Sequence, residues 1–154
     1  MLFGKFVYKT GTTVFYSKFE GKEINEYNLT IATVPGESLS DQVINLRDAL
    51  LGFLELHHLQ QKNILFQRIF ASDISNQGEA LKEIAFCTAV SFVQQPPFSN
   101  AKISTWIILL QPVNANANES VKSLLEFAIS ALFHTDFDTG FIQSILAKNC
   151  QFRY

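Results

Sequence analysis

The sequence predicts an α+β fold, an α/β sandwich in which helices pack on one face of a mixed sheet. Stretches rich in β-branched and aromatic residues alternate along the chain with stretches of helical periodicity. Of the 154 residues, 47% are hydrophobic and 17% are charged, which is typical of a folded domain rather than a disordered one. Fifteen phenylalanines supply large apolar side chains, and a chain of this length can bury a sizeable core.

The first elements are strands. Residues 6–19 are rich in Val, Tyr, Phe and Thr and are interrupted by Gly11, which indicates a hairpin or a bulged strand. A further strand is predicted over 28–34, and Pro35-Gly36 ends it.

The clearest helix comes next. Ser38 or Ser40 can cap its first turn, and it is predicted to end near His57. The apolar residues recur at helical spacing, at Leu39, Val43, Leu46, Leu50, Phe53 and Leu54.

The second half predicts strands at 64–70, 87–93 and 103–111, and helices at 78–86 and 119–133. The apolar run at 64–70 is dense, as in a strand covered on both faces, and a polar turn is predicted at 73–76. We expect residues 1–113 to form the domain. Residues 114–154 are expected to be a C-terminal extension, with an extra helix and a possible strand, packed on it.

Several classes of function are disfavoured. The net charge is −2 and the basic residues are scattered, so no stripe for nucleic acid is visible. Cys87 and Cys150 lie far apart without metal-ligand spacing, so we expect free thiols, no metal and no cofactor. No signal peptide or membrane span is apparent, which predicts a cytoplasmic protein without a membrane partner.

A family resemblance rests on the order of these elements and on two short segments. An N-terminal strand pair and a long helix precede FQRIFASD, at 66–73, and an Asn-bearing turn. The segment PFSNAK, at 97–102, follows in the position of a Pro-x-Arg motif. Over residues 5–113 the chain resembles the YjgF/RidA family, also called endoribonuclease L-PSP, which has a chorismate-mutase-like fold.

The resemblance implies a homotrimer with ligand clefts between subunits. Family members hydrolyse imines and enamines, and an arginine clamps the substrate carboxylate. By position that arginine falls on Lys102, and a small residue of the cleft falls near Ser104. Lysine lacks the planar fork of arginine, and no strand after Trp106 carries the family's acidic residue.

Three functions therefore stay open. The first is a protein that binds a small carboxylate-bearing metabolite in an interface cleft, without catalysis. The second is an imine or enamine hydrolase with Lys102 in place of arginine. The third is the structural half of a tandem, chorismatase-like protein, because KNCQFRY at 148–154 echoes KNILFQR at 62–68.

Three more side chains are candidates for the ligand site. Arg68 lies within an apolar strand and needs partners, which can be Asp48 or Glu55 of the long helix, a second subunit or a ligand. Gln95 precedes a proline pair and can line a cleft beside Lys102 or simply end a strand. Tyr16 can donate to a ligand or pack at a sheet edge. The cluster of His134, Asp136 and Asp138 is interpreted as a solvated loop.

Overall fold

A computed structural model describes residues 1–97 and 100–113. The predicted order of strands and helices is confirmed in this part of the chain, while the predicted helix at 119–133 lies outside it. The elements are β1 (Leu2–Val7), β2 (Thr13–Glu20), β3 (Ile24–Ala32), α1 (Leu39–Leu56), a short 3-10 turn (Gln61–Asn63), β4 (Ile64–Ala71), α2 (Ile74–Lys82), β5 (Val90–Gln94) and β6 (Ile103–Pro112).

The strands form one mixed sheet in the order β1-β2-β3-β6-β4-β5. Every neighbouring pair is antiparallel except β4 and β5, which are parallel. A parallel pair needs a crossover connection, and α2 supplies it. The predicted α+β class with a mixed sheet is confirmed.

Both helices of the described residues pack on the same face of the sheet. Helix α1 contacts β2, β3 and β6, and α2 contacts β4 and β5. Ser38 caps α1 by accepting a hydrogen bond from the Asp41 backbone N–H. The core lies between the two layers and includes Leu29, Ile31, Leu46, Leu50, Phe53, Ile69, Ile103 and Ile107, all fully buried.

Several predicted boundaries were shifted. Strand β1 begins at Leu2 instead of residue 6, α2 ends at Lys82 instead of residue 86, and β5 begins at Val90 instead of residue 87. Helix α2 begins at Ile74 instead of residue 78, because Asp73 accepts a hydrogen bond from the Asn76 backbone N–H and acts as its N-cap. The polar residues interpreted as a turn are therefore the start of the helix. Strand β3 begins at Ile24, four residues earlier than expected, because it pairs along its whole length with β6.

An aromatic cluster joins the C-terminal end of α1 to the β1–β2 hairpin. The Phe53 ring centroid lies 5.1 Å from that of Tyr16, 6.4 Å from that of Phe6 and 4.3 Å from that of His57. Burial lowers the pKa of His57 below its usual range, and the positive charge of Lys18 lowers it further. The native state therefore favours the neutral imidazole.

This shift predicts a pH-dependent stability. The unfolded chain takes up the His57 proton near pH 6.5, above the pKa in the native state, so protons favour unfolding in that window. We expect the free energy of unfolding to be constant above about pH 7 and to fall as the pH drops below about 6.5, the pKa of a histidine in the unfolded chain. Urea denaturation of the wild type and His57→Gln measures the effect, and His57→Gln should lose this decline.

His58→Gln is the matched control, because His58 is exposed and no ring contact holds it. It should keep most of the decline, because the charge of His58 is the smallest of the three causes that lower the pKa of His57. Equal pH dependence in the wild type and His57→Gln would contradict the assignment to His57.

Candidate functional site

One face of the sheet carries no helix in the part of the chain that the structure describes. Strand registers align its side chains in rows, and Phe15, Thr30, Trp106, Arg68 and Ser91 lie opposite one another on five successive strands. We call this the helix-free face. Besides that row it carries Ser17, Asn28, Ala32, Phe66, Phe70, Val93, Ser104 and Ile108.

Arg68 lies in the middle of the helix-free face. The two-residue period of a strand predicts that Gln67 and Ile69 face one way and Arg68 the other. This is confirmed, because Gln67 and Ile69 are fully buried in the core and Arg68 points away from it. The expected ion pair of Arg68 with Asp48 or Glu55 is wrong, because α1 covers the opposite face of the sheet. Asp48 Oδ1 instead lies 3.5 Å from Nε of Arg47, its neighbour on the helix.

The Arg68 guanidinium is flanked by two aromatic rings. Its Cζ lies 5.6 Å from the centroid of the Phe66 ring and 5.9 Å from that of Trp106. Its Nε is buried and has no hydrogen-bond partner among the described residues. No carboxylate of the described chain forms an ion pair with it. A buried unpaired donor on a cation is unfavourable, so this group is left in need of an acceptor.

A buried polar network on the core side of the sheet holds the Arg68 backbone in place. The Thr105 hydroxyl donates to the Arg68 carbonyl at 2.9 Å. The Gln67 amide donates to Thr105 Oγ1 at 3.2 Å and to the Ile84 carbonyl at 2.7 Å. Its oxygen accepts from the Phe86 N–H at 2.9 Å. Sequence analysis missed this network, although a glutamine inside an apolar strand was a visible signal.

Lys102 and Ser104 lie at one end of the same face. Ser104 is half-buried on β6 opposite Phe70, while the Lys102 side chain is exposed just before the strand begins. The Lys102 backbone is held firmly, because its N–H donates to Gln42 Oε1 at 2.9 Å and its carbonyl accepts from the Ser72 N–H at 3.0 Å. Gln42 is fully buried on α1, and its role was not predicted.

Gln95 is exposed at the same end of the sheet as Lys102. Ala71 of β4 pairs with Gln94 on one side and with Ile103 on the other, so one strand separates Gln95 from Lys102. Two strand spacings amount to about 10 Å, which one small ligand can bridge.

Tyr16 lies on the helix-covered face. Its ring lies across Gly4, where a Cβ atom would collide with it, and contacts Phe53 and His57. The structure therefore brings Arg68, Ser104, Lys102 and Gln95 to one face or its end, and places Tyr16 apart from them.

Cys87 is a free, half-buried thiol. Burial raises its pKa to about 11, so the thiol stays protonated at neutral pH and is a poor nucleophile. Within residues 1–97 and 100–113, no group of three His, Cys, Asp or Glu side chains is arranged to hold a metal ion. Neither helix described there combines the length and apolar character needed to cross a membrane.

No model of a protein family matches the sequence, and no curated protein matches it. Among solved structures, a proposed translation initiation inhibitor from Salmonella typhimurium is similar over 61% of this chain and 96% of its own, with 16% identity and a TM-score of 0.45. The protein YJGH is similar over 63% of this chain and 83% of its own, with 16% identity and a TM-score of 0.46.

A member of the YjgF/YER057c/UK114 family from Mycobacterium tuberculosis is similar over 53% of this chain and 77% of its own, with 14% identity and a TM-score of 0.42. These are remote likenesses of fold, and no residue role follows from them.

Proposed function

We propose that this chain binds a small metabolite through its carboxylate, on the helix-free face of the sheet. One observation supports this most directly: Arg68 presents a cation on that face whose Nε has no acceptor among the described residues. The half-buried Trp106, Ile108 and Phe70 around it offer apolar surface for the rest of the ligand. An apolar surface with a few polar groups is the usual composition of a small-molecule site.

A second copy of the chain would complete the cleft. The helix-free face extends onto the hairpin, where Phe15 is 48% exposed. A flat sheet face alone does not enclose a ligand, whereas a subunit packed on it makes a concave site. The family resemblance suggests a trimer, in the cytoplasm. The hydrolase alternative stays a prediction, because it needs Lys102 to orient a carboxylate and Lys102 is exposed with no ion pair among the described residues.

Benzoate and its neutral analogue benzamide test the proposal in the wild-type chain. We expect benzoate to bind with a dissociation constant in the millimolar range or below and benzamide to bind at least about tenfold more weakly, because only benzoate offers an anion to the guanidinium. Titration followed by NMR measures both. Equal affinity for the two compounds, or no binding of benzoate, would refute the proposed function.

Sedimentation velocity tests the second copy separately. A trimer at micromolar concentration is the expected result, and a monomer would rule out the interface cleft.

A further inference from the structure

Arg68 and Lys102, two cations of the helix-free face, lie well apart along the sheet. Arg68 lies opposite Trp106 on β6, and Lys102 precedes that residue by four positions. At about 3.3 Å per residue, the two backbones are about 13 Å apart along the strand. The Arg68 guanidinium also lies over Phe66, on the side away from Lys102, which widens the separation.

The surroundings of the two cations differ. The Lys102 side chain is exposed, so water solvates its charge and an added carboxylate gains little. Arg68 is half-buried between two rings, with Nε shielded from solvent and unpaired. A carboxylate that reaches this guanidinium meets a planar donor group already oriented by the rings, in a medium of lower dielectric.

The geometry points to Arg68, and not Lys102, as the group that binds the ligand carboxylate, with Phe66 and Trp106 holding the guanidinium in place. This inference rests on the proposed function and specifies its site. The ligand class it selects is a monocarboxylate with an apolar body. Among the described residues Arg68 is the one cation at the centre of the helix-free face, and the neighbouring half-buried Ile108 and Phe70 are apolar. The buried Thr105 and Gln67 keep the Arg68 backbone at a fixed position behind the site.

The test compares Arg68→Gln with Lys102→Gln as the matched control, with benzoate as the probe. We expect Arg68→Gln to weaken benzoate binding at least about tenfold, because a charge-assisted hydrogen bond is lost. Lys102→Gln should stay within about twofold of the wild type, because its charge is exposed to water and its backbone is about 13 Å along the strand from that of Arg68. The reverse pattern would overturn the inference while leaving the proposed function standing.

A comparison of benzoate with succinate tests whether the site selects a monocarboxylate. Benzoate should bind the wild type more tightly than succinate, whose second carboxylate finds no second cation beside Arg68 among the described residues. Tighter binding of succinate would overturn this part of the inference. If benzoate does not bind the wild type at all, the proposed function fails and the inference fails with it.

A measurement on the unchanged chain guards against a variant that does not fold. Benzoate should shift the Arg68 Nε–H resonance in the NMR spectrum and leave the Lys102 amide unshifted. A shift confined to Lys102 and its neighbours would overturn the inference.

Arg68→Met adds a stability readout: its thermal midpoint should be no lower than that of the wild type, since it removes an unpaired buried donor. A large decrease would show instead that Arg68 is structural.

Discussion

Phe53→Ala is expected to lower the free energy of unfolding by about 4 kcal/mol. Phe53 is fully buried in the core, and its ring contacts Phe6, Tyr16 and His57. The substitution removes these contacts and leaves a cavity between α1 and the hairpin, which the surrounding strands cannot fill. Urea denaturation at pH 7.5 measures the change.

Phe92→Ala is the matched control for Phe53. Phe92 is 42% exposed on the edge strand β5, so its truncation should cost less than about 1 kcal/mol. Similar losses for the two variants would show that the Phe53 cluster does not hold the hairpin to the helix.

Gln67→Leu is expected to lower the free energy of unfolding by about 3 kcal/mol. Gln67 is fully buried and bonds the Phe86 N–H, the Ile84 carbonyl and Thr105. Leucine has similar bulk and leaves these buried polar groups without their partner. The lost free energy of unfolding therefore comes from unpaired polar groups and not from altered packing. The same variant should weaken benzoate binding, because Thr105 is the direct support of the Arg68 carbonyl.

Gln61→Leu is the control for the loss of the buried hydrogen bonds in Gln67→Leu. Gln61 also bonds Phe86, donating to its carbonyl at 3.0 Å, but Gln61 is exposed and water can replace it. We expect a loss below about 1 kcal/mol from Gln61→Leu. If Gln67→Leu costs no more than this control, the buried network does not organise the sheet as inferred.

The elements could be predicted because their signals are local. The alternation at 66–70 is a property of the strand backbone, so it placed Arg68 and Gln67 on opposite faces without any tertiary information. The apolar spacing of α1 and the serine before it likewise indicated where that helix begins and ends. The Asp73 cap was misinterpreted because the same side chain starts a turn or a helix, and only the following backbone decides which.

The candidate site depended on contacts between distant segments. The sequence suggested Lys102 through a family resemblance, and it could not show that Arg68 and Lys102 are about 13 Å apart. Nor could it show that Gln42 of α1 holds the backbone of Lys102 and Ile103, 60 and 61 residues further along the chain. Such pairs are brought together by strand order, and no local pattern encodes strand order.

By itself the sequence determined the mixed α+β class, the order of elements and the opposite faces of Gln67 and Arg68 on β4. These follow from periodicity, capping and turn chemistry, which act over a few residues. Only the tertiary structure decided which face of β4 the described helices cover, which deprives Arg68 of the acids of α1 and leaves it between Phe66 and Trp106. The physical reason is that an ion pair needs contact within about 4 Å, and a sheet keeps its two faces apart.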